Sequence, residues 1–169
     1  MQVWKAFEQN VISHSAAHHL MTIAALLEKH GYARVTDVAR SLDITRGSAS
    51  ITLKALKEKG YVVEDENKFL RLSEQGQSLV HAVRSNRKVL IKFLQDVLEV
   101  EPEQAEIDAC KMEHLVSGES GKKLLRFVKF LLSDDPKARA FLQAYWNHEN
   151  TCEGLTEECD ICETECLMQ

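Results

Sequence analysis

At 169 residues and 44% hydrophobic content, the chain is long enough for one ordinary domain, or for a small domain with an appendage. It holds no run of about 18 apolar residues and its N-terminus lacks a basic-then-apolar export pattern, so the sequence reads as a cytoplasmic protein without a membrane span. The net charge of −5 argues against a nucleic-acid partner only until it is mapped: residues 147–169 hold seven acids and no Lys or Arg, leaving 21 basic against 19 acidic side chains, a net of +2, for the rest.

Helical periodicity is expected from about residue 4 to residue 30, with Ala16, Leu20, Ile23, Ala24 and Leu27 on an apolar stripe and Gly31 as the stop. His14, His18 and Met21 fall on a different face, a second set of potential ligands or simply solvated and packing histidines. A short helix capped by Thr36 then runs to Leu42, Asp43-Ile44-Thr45 turns, and residues 46–59 form a second helix. That is the rhythm of a helix-turn-helix. Ala49, Leu53 and Leu56 face the core, while small polar residues open the second helix and Lys54, Lys57 and Lys59 follow. A recognition helix offers its N-terminal side chains to base edges and its flanking cations to phosphates, which selects Arg46, Ser48, Ser50, Ile51, Thr52 and Lys54. An ordinary helical hairpin with a solvated basic face is the alternative.

Two short strands, residues 61–64 and 68–72, around a polar turn give a wing, with Lys68 and Arg71 placed to touch DNA and Glu64, Asp65 and Glu66 weakening the positive field. A long amphipathic helix follows from about residue 73 to residue 99, too long for so small a domain to cover, so a homodimer seam is expected along it. Arg84, Arg87, Lys88 and Lys92 make an acid-free basic block within it. Pro102 opens the next helix, expected to reach Val116; on it Cys110, Glu113 and His114 lie at i, i+3 and i+4 on one face, with Glu106 one turn earlier. A thiolate, an imidazole and a carboxylate together suit a divalent transition metal rather than calcium or magnesium. Ser117-Gly118-Glu119-Ser120-Gly121 is expected to break the chain before helices over residues 122–132 and 136–146.

The segments Gly31-Tyr32-Ala33-Arg34-Val35-Thr36-Asp37-Val38-Ala39 and Asp108-Ala109-Cys110-Lys111-Met112-Glu113-His114-Leu115-Val116-Ser117 resemble the metal-dependent repressors typified by the diphtheria toxin repressor and the manganese transport regulator, over roughly residues 20–132. The resemblance implies a mainly α fold: a winged helix-turn-helix DNA-binding domain (residues 1–73, with Thr36 at the DNA face), then an all-helical metal-binding and dimerisation domain (residues 74–148); the acidic, Cys-rich tail that follows (residues 149–169) is atypical of the family. It implies a homodimeric repressor of double-stranded operator DNA, not an enzyme, whose metal is held by His18, Cys110, Glu113 and His114. Cys110 is the choice of the iron branch, so iron is favoured over manganese or zinc. The family's His and Glu on the long helix, which complete a second metal site, fall on Arg87 and Ile91, and its other ancillary position on Glu106. A binuclear site is therefore expected to be lost, with the charge of Arg87 in its place. His18 stands where the family has Met or Asp, and the SH3-like third domain of longer members has no room.

Cys152, Cys159, Cys162 and Cys166 lie within one short stretch. Four thiolates could hold zinc or an iron-sulfur cluster, act as a redox dithiol, or belong to a plain acidic tail. The competing expectation is that this cluster is the sensor and the Cys110 site vestigial.

Overall fold

The computed structural model describes residues 12–148, which hold seven helices and one two-stranded hairpin. The first helix, α1 (His14–His30), starts where Ser13 Oγ accepts the Ala16 N–H at 3.3 Å and stops at Gly31; the part expected to begin near Trp4 lies outside the described residues. Helices α2 (Val35–Ser41) and α3 (Arg46–Glu58) form the helix-turn-helix. Thr36 is not the cap of α2. Arg34 takes that position, and its N–H donates to Asp37 Oδ2 at 3.2 Å, so an acid three residues on reaches back to the backbone of the cap residue. At α3 the cap is Thr45, whose Oγ1 accepts the Ser48 N–H at 3.1 Å.

Strands β1 (Val62–Glu64) and β2 (Leu70–Leu72) pair antiparallel with Val63 opposite Arg71. They are shorter than expected. Ala17, Leu20 and Ile23 of α1, Val38 of α2, Ala49, Leu53 and Leu56 of α3, and Val62 and Leu70 of the hairpin are all buried in one cluster, so the wing and the helix pair share a core. That shared core fixes the wing against α3.

Helix α4 (Glu74–Asp96) is capped by Ser73, whose Oγ accepts the Gly76 N–H at 3.0 Å and donates to the Gly60 carbonyl at 2.7 Å. It packs on α1 and on α5 (Pro102–Met112), burying Val83, Val89 and Leu90 and, from α5, Ala105 and Ala109. Helix α5 stops at Met112, short of the expected Val116. The Asn86 side-chain amide donates to the Glu113 carbonyl at 3.0 Å and the Val116 carbonyl at 3.1 Å, so a residue of α4 takes up acceptors that a longer helix would have used itself. Glu113 and His114 therefore sit on a turn just past the helix.

Helix α6 (Gly118–Leu131) also departs from expectation, starting inside the stretch read as a break. Ser117 Oγ caps it by accepting the Ser120 N–H at 3.1 Å, and a Cβ on Gly121 would lie 2.3 Å from Asn86 Oδ1. The glycine marks a close approach, not a loop. A second compact unit begins at Lys129 and contains α7 (Pro136–Trp146), which has Asp135 as N-cap and Pro136 in its first turn; Ala138 and Leu142 are buried, while Phe141, Tyr145 and Trp146 are exposed. No described helix is long and apolar enough to cross a membrane.

Candidate metal centre and nucleic-acid interface

Residues far apart in sequence meet between α1 and the end of α5. Cys110 Sγ lies 3.3 Å from His18 Nε2, and one donor atom each from His14, His18 and Cys110 fall within 4.8 Å of one another. The His14 ring is 4.4 Å from that of His18 and 5.0 Å from that of His114, so three imidazoles and a thiol share one pocket. Helical spacing explains the first pair: at i and i+4 His14 and His18 stack along one face of α1.

Glu113, the fourth residue expected here, points elsewhere. Its side chain is fully buried and its Oε2 pairs with Arg87 Nη1 at 3.4 Å, while Arg87 Nη2 reaches Glu106 Oε2 at 3.7 Å. A guanidinium thus stands between the two carboxylates, as expected from the sequence departure at Arg87. Burial pushes the Glu113 carboxyl above its usual range, against the pull of Arg87.

The donor chemistry fits a divalent ion. Two buried atoms at this place, His114 Nδ1 and Glu113 Oε1, have no hydrogen-bond partner among the described residues, and unpaired buried polar atoms are costly unless something binds them. Burial, and then the neighbouring His14, lower the His18 and His114 pKa values, which keeps both imidazoles neutral and able to donate a lone pair near pH 7. Since their folded values lie below the ordinary value of about 6.5, the unfolded chain takes up protons first as the pH falls. The stability they support is present above that value and is lost as the pH drops through it. The melting temperature of the chelated protein is accordingly expected to fall between pH 7 and pH 5.5, and His18→Asn to flatten that slope; a parallel slope in the variant would exclude His18 as its source.

The second site is a cleft of about 480 Å³ between the helix-turn-helix and the wing, lined by Arg34, Thr36, Arg46, Ser50, Lys57, Glu64 and Lys68 among others. Ile51 is 74% exposed beside it, although α3 buries Ala49 and Leu53 on either side. Lys54 and Arg71 are exposed but do not line the cleft, Ser48 bonds Thr45 through its Oγ at 2.9 Å, and Thr52 is half-buried. Glu64 pairs with Lys57 and, at 3.6 Å, with Lys68, and the Lys57 hydrogen bond holds its carboxyl below the usual range. Arg34, whose guanidinium lies 4.5 Å over the Phe69 ring, was not among the expected contacts. Its sign was in the sequence, but only the fold brings the helix-turn-helix entry beside the wing. Cys152, Cys159, Cys162 and Cys166 lie outside the described residues.

Comparison with known proteins matches this arrangement twice over. "Iron dependent repressor, N-terminal DNA binding domain" describes residues 12–70, and "Iron dependent repressor, metal binding and dimerisation domain" describes residues 73–139. The transcriptional regulator MntR of Salmonella typhimurium is 32% identical over 107 residues, 63% of this chain and 68% of that protein. The chain belongs to the diphtheria toxin repressor and manganese transport regulator family.

Other relatives include the HTH-type transcriptional regulator MntR of Lysinibacillus sphaericus, 26% identical over 80% of this chain and 96% of its own, and the diphtheria toxin repressor of Corynebacterium diphtheriae, 24% identical over 66% and 49%. Among solved structures, the metal-dependent transcriptional regulator MtsR aligns over 68% of this chain and 54% of its own at 22% identity and TM-score 0.61, and the IdeR of T. acidophilum over 66% and 52% at 21% identity and TM-score 0.54. These share the fold, and the repressor-family chain spans about half of each.

Proposed function

We propose that this family member is a homodimeric, metal-responsive repressor of operator DNA, with iron(II) as the favoured ion. The observation that carries it is the 3.3 Å approach of Cys110 Sγ to His18 Nε2, which brings together ligand types from two helices far apart in sequence. His18 and Cys110 would hold the ion, with His114 and Glu113 on the adjoining turn. When bound, the metal supplies a cross-link between α1 and the end of α5. Because α1 also packs on α2 and α3, stiffening it orders the DNA-binding face. The thiolate favours iron over manganese, which prefers carboxylate and water ligands.

Dimerisation is supported by Leu125 and Phe127 of α6, which remain exposed and offer apolar surface that a second copy would cover. Arg34, Arg46 and Lys68 supply the phosphate contacts and Ile51 the apolar contact to a thymine methyl. Fluorescence anisotropy of the chain on its own promoter region, made anaerobic, with iron(II), manganese(II) or chelator, tests the reading. Binding that appears only with metal is expected; equal binding in chelator would remove the metal switch, and none in any condition would remove the DNA reading.

Ile51→Ala is expected to weaken specific binding roughly tenfold, the worth of losing about 1.4 kcal/mol of apolar burial, and to leave non-specific binding unchanged. An equal loss on random-sequence DNA would mean that Ile51 does not read bases.

A further inference from the structure

We infer that His14 is a metal ligand of this chain in the place of Glu113, so that the ion sits in a three-nitrogen, one-sulfur set of His14, His18, His114 and Cys110. The inference rests on the metal reading above and goes beyond it in naming the ligands. Its basis is that the donor atoms which cluster are His14, His18 and Cys110, with neither an oxygen of Glu113 nor a nitrogen of His114 within the same 4.8 Å group.

Distances favour this set. Four-coordinate binding with metal–nitrogen bonds near 2.0 Å and metal–sulfur bonds near 2.3 Å needs donor atoms about 3.3–3.6 Å apart. Cys110 and His18 are already at 3.3 Å, and the His14 donor closes from within 4.8 Å by rotating an exposed side chain. His114, with its ring 5.0 Å from that of His14 and its buried Nδ1 without a partner, completes the set from the turn after α5.

Electrostatics keeps Glu113 out. Its Oε2 is anchored to Arg87 Nη1 at 3.4 Å inside a fully buried environment, and its unpartnered Oε1 is not among the clustered donors. Arg87 also reaches the exposed Glu106 at 3.7 Å. His14, being exposed, gives up far less. The resulting donor set is that of a borderline ion such as iron(II), cobalt(II) or zinc, and it carries one ion, not two, because the guanidinium fills the space between the carboxylates.

The test is an anaerobic cobalt(II) titration of the full-length chain carrying Cys152→Ser, Cys159→Ser, Cys162→Ser and Cys166→Ser, read by its thiolate-to-cobalt charge-transfer and visible d–d bands. His14→Ala is expected to shift the visible bands and weaken binding by about tenfold or more, and Glu113→Gln to leave both nearly as they were. An unchanged spectrum in His14→Ala, or a shifted one in Glu113→Gln, overturns the ligand assignment. If Cys110→Ser also leaves the charge-transfer band intact, the metal reading itself falls. X-ray absorption of the cobalt-loaded parent is independent of how the variants fold: three imidazoles and one sulfur are expected, and two imidazoles with added oxygen would refute the set.

Discussion

Gly76→Ala is expected to lower stability by about 2–4 kcal/mol, although alanine in a helix is ordinarily better than glycine by about 0.5–1 kcal/mol. A Cβ at this position would lie 2.2 Å from the Tyr61 carbonyl oxygen and 3.2 Å from its carbon. That oxygen belongs to backbone and already accepts the Ser73 N–H at 3.1 Å, so it has no rotamer by which to move aside. The first turn of α4 must therefore lift from the segment that joins α3 to the wing, breaking the Ser73 contact to Gly60 as well. Overpacking against backbone exceeds the propensity gain by a clear margin. Urea unfolding would show a lower midpoint at unchanged slope, and a midpoint at or above that of the parent would disprove the close approach. Because this junction ties the wing to the helix that leads to the metal centre, the refolded variant should also lose DNA affinity.

The same junction marks the boundary of what the sequence makes legible. Ser73 as a cap, the stop at Gly31 and Thr45 ahead of α3 are local devices, and each can be read from residues within one turn of its partner. The helix-turn-helix and wing follow from them. By contrast, the turn between α5 and α6 is tied by Asn86, a residue of α4 that reaches the Glu113 and Val116 carbonyls and crowds Gly121. No pattern in residues 113–121 contains that information. The metal centre divides in the same way. Spacing alone groups Cys110 with Glu113 and His114, because it does not contain the partner that α4 brings to Glu113. Glu113, still helical in backbone as the cap of α5, is engaged by Arg87 across from α4, and His14, grouped by the sequence with His18 but not chosen, enters the cluster.

Arg87→Met is expected to cost the metal-free protein about 2 kcal/mol. Removing one partner of a buried ion pair typically costs about 3–5 kcal/mol, since the other charge is left in a medium of low dielectric. Here the value is reduced for two reasons: Arg87 is itself 32% exposed on its side chain, and its 3.4 Å contact to Glu113 is longer than a strong charge-assisted bond. Burial already raises the Glu113 pKa, so the stranded carboxyl can also take up a proton and escape part of the penalty. The loss should then be smaller at pH 5 than at pH 7, because the raised pKa lets the folded state hold a proton that the unfolded state releases earlier as the pH rises. Arg87→Met with Glu113→Gln should recover most of the stability, and a double-mutant cycle of thermal melts in chelator would measure the coupling. Additive losses would mean that the guanidinium and carboxylate do not depend on each other. With Arg87 gone, Glu106 and Glu113 face each other without their cation, and a divalent metal becomes the natural replacement. Manganese(II) should therefore stabilise Arg87→Met more than it stabilises the parent, by the concentration-dependent increment that any ligand of the folded state confers. An arginine in the metal domain would then be what keeps a second, oxygen-rich site from forming.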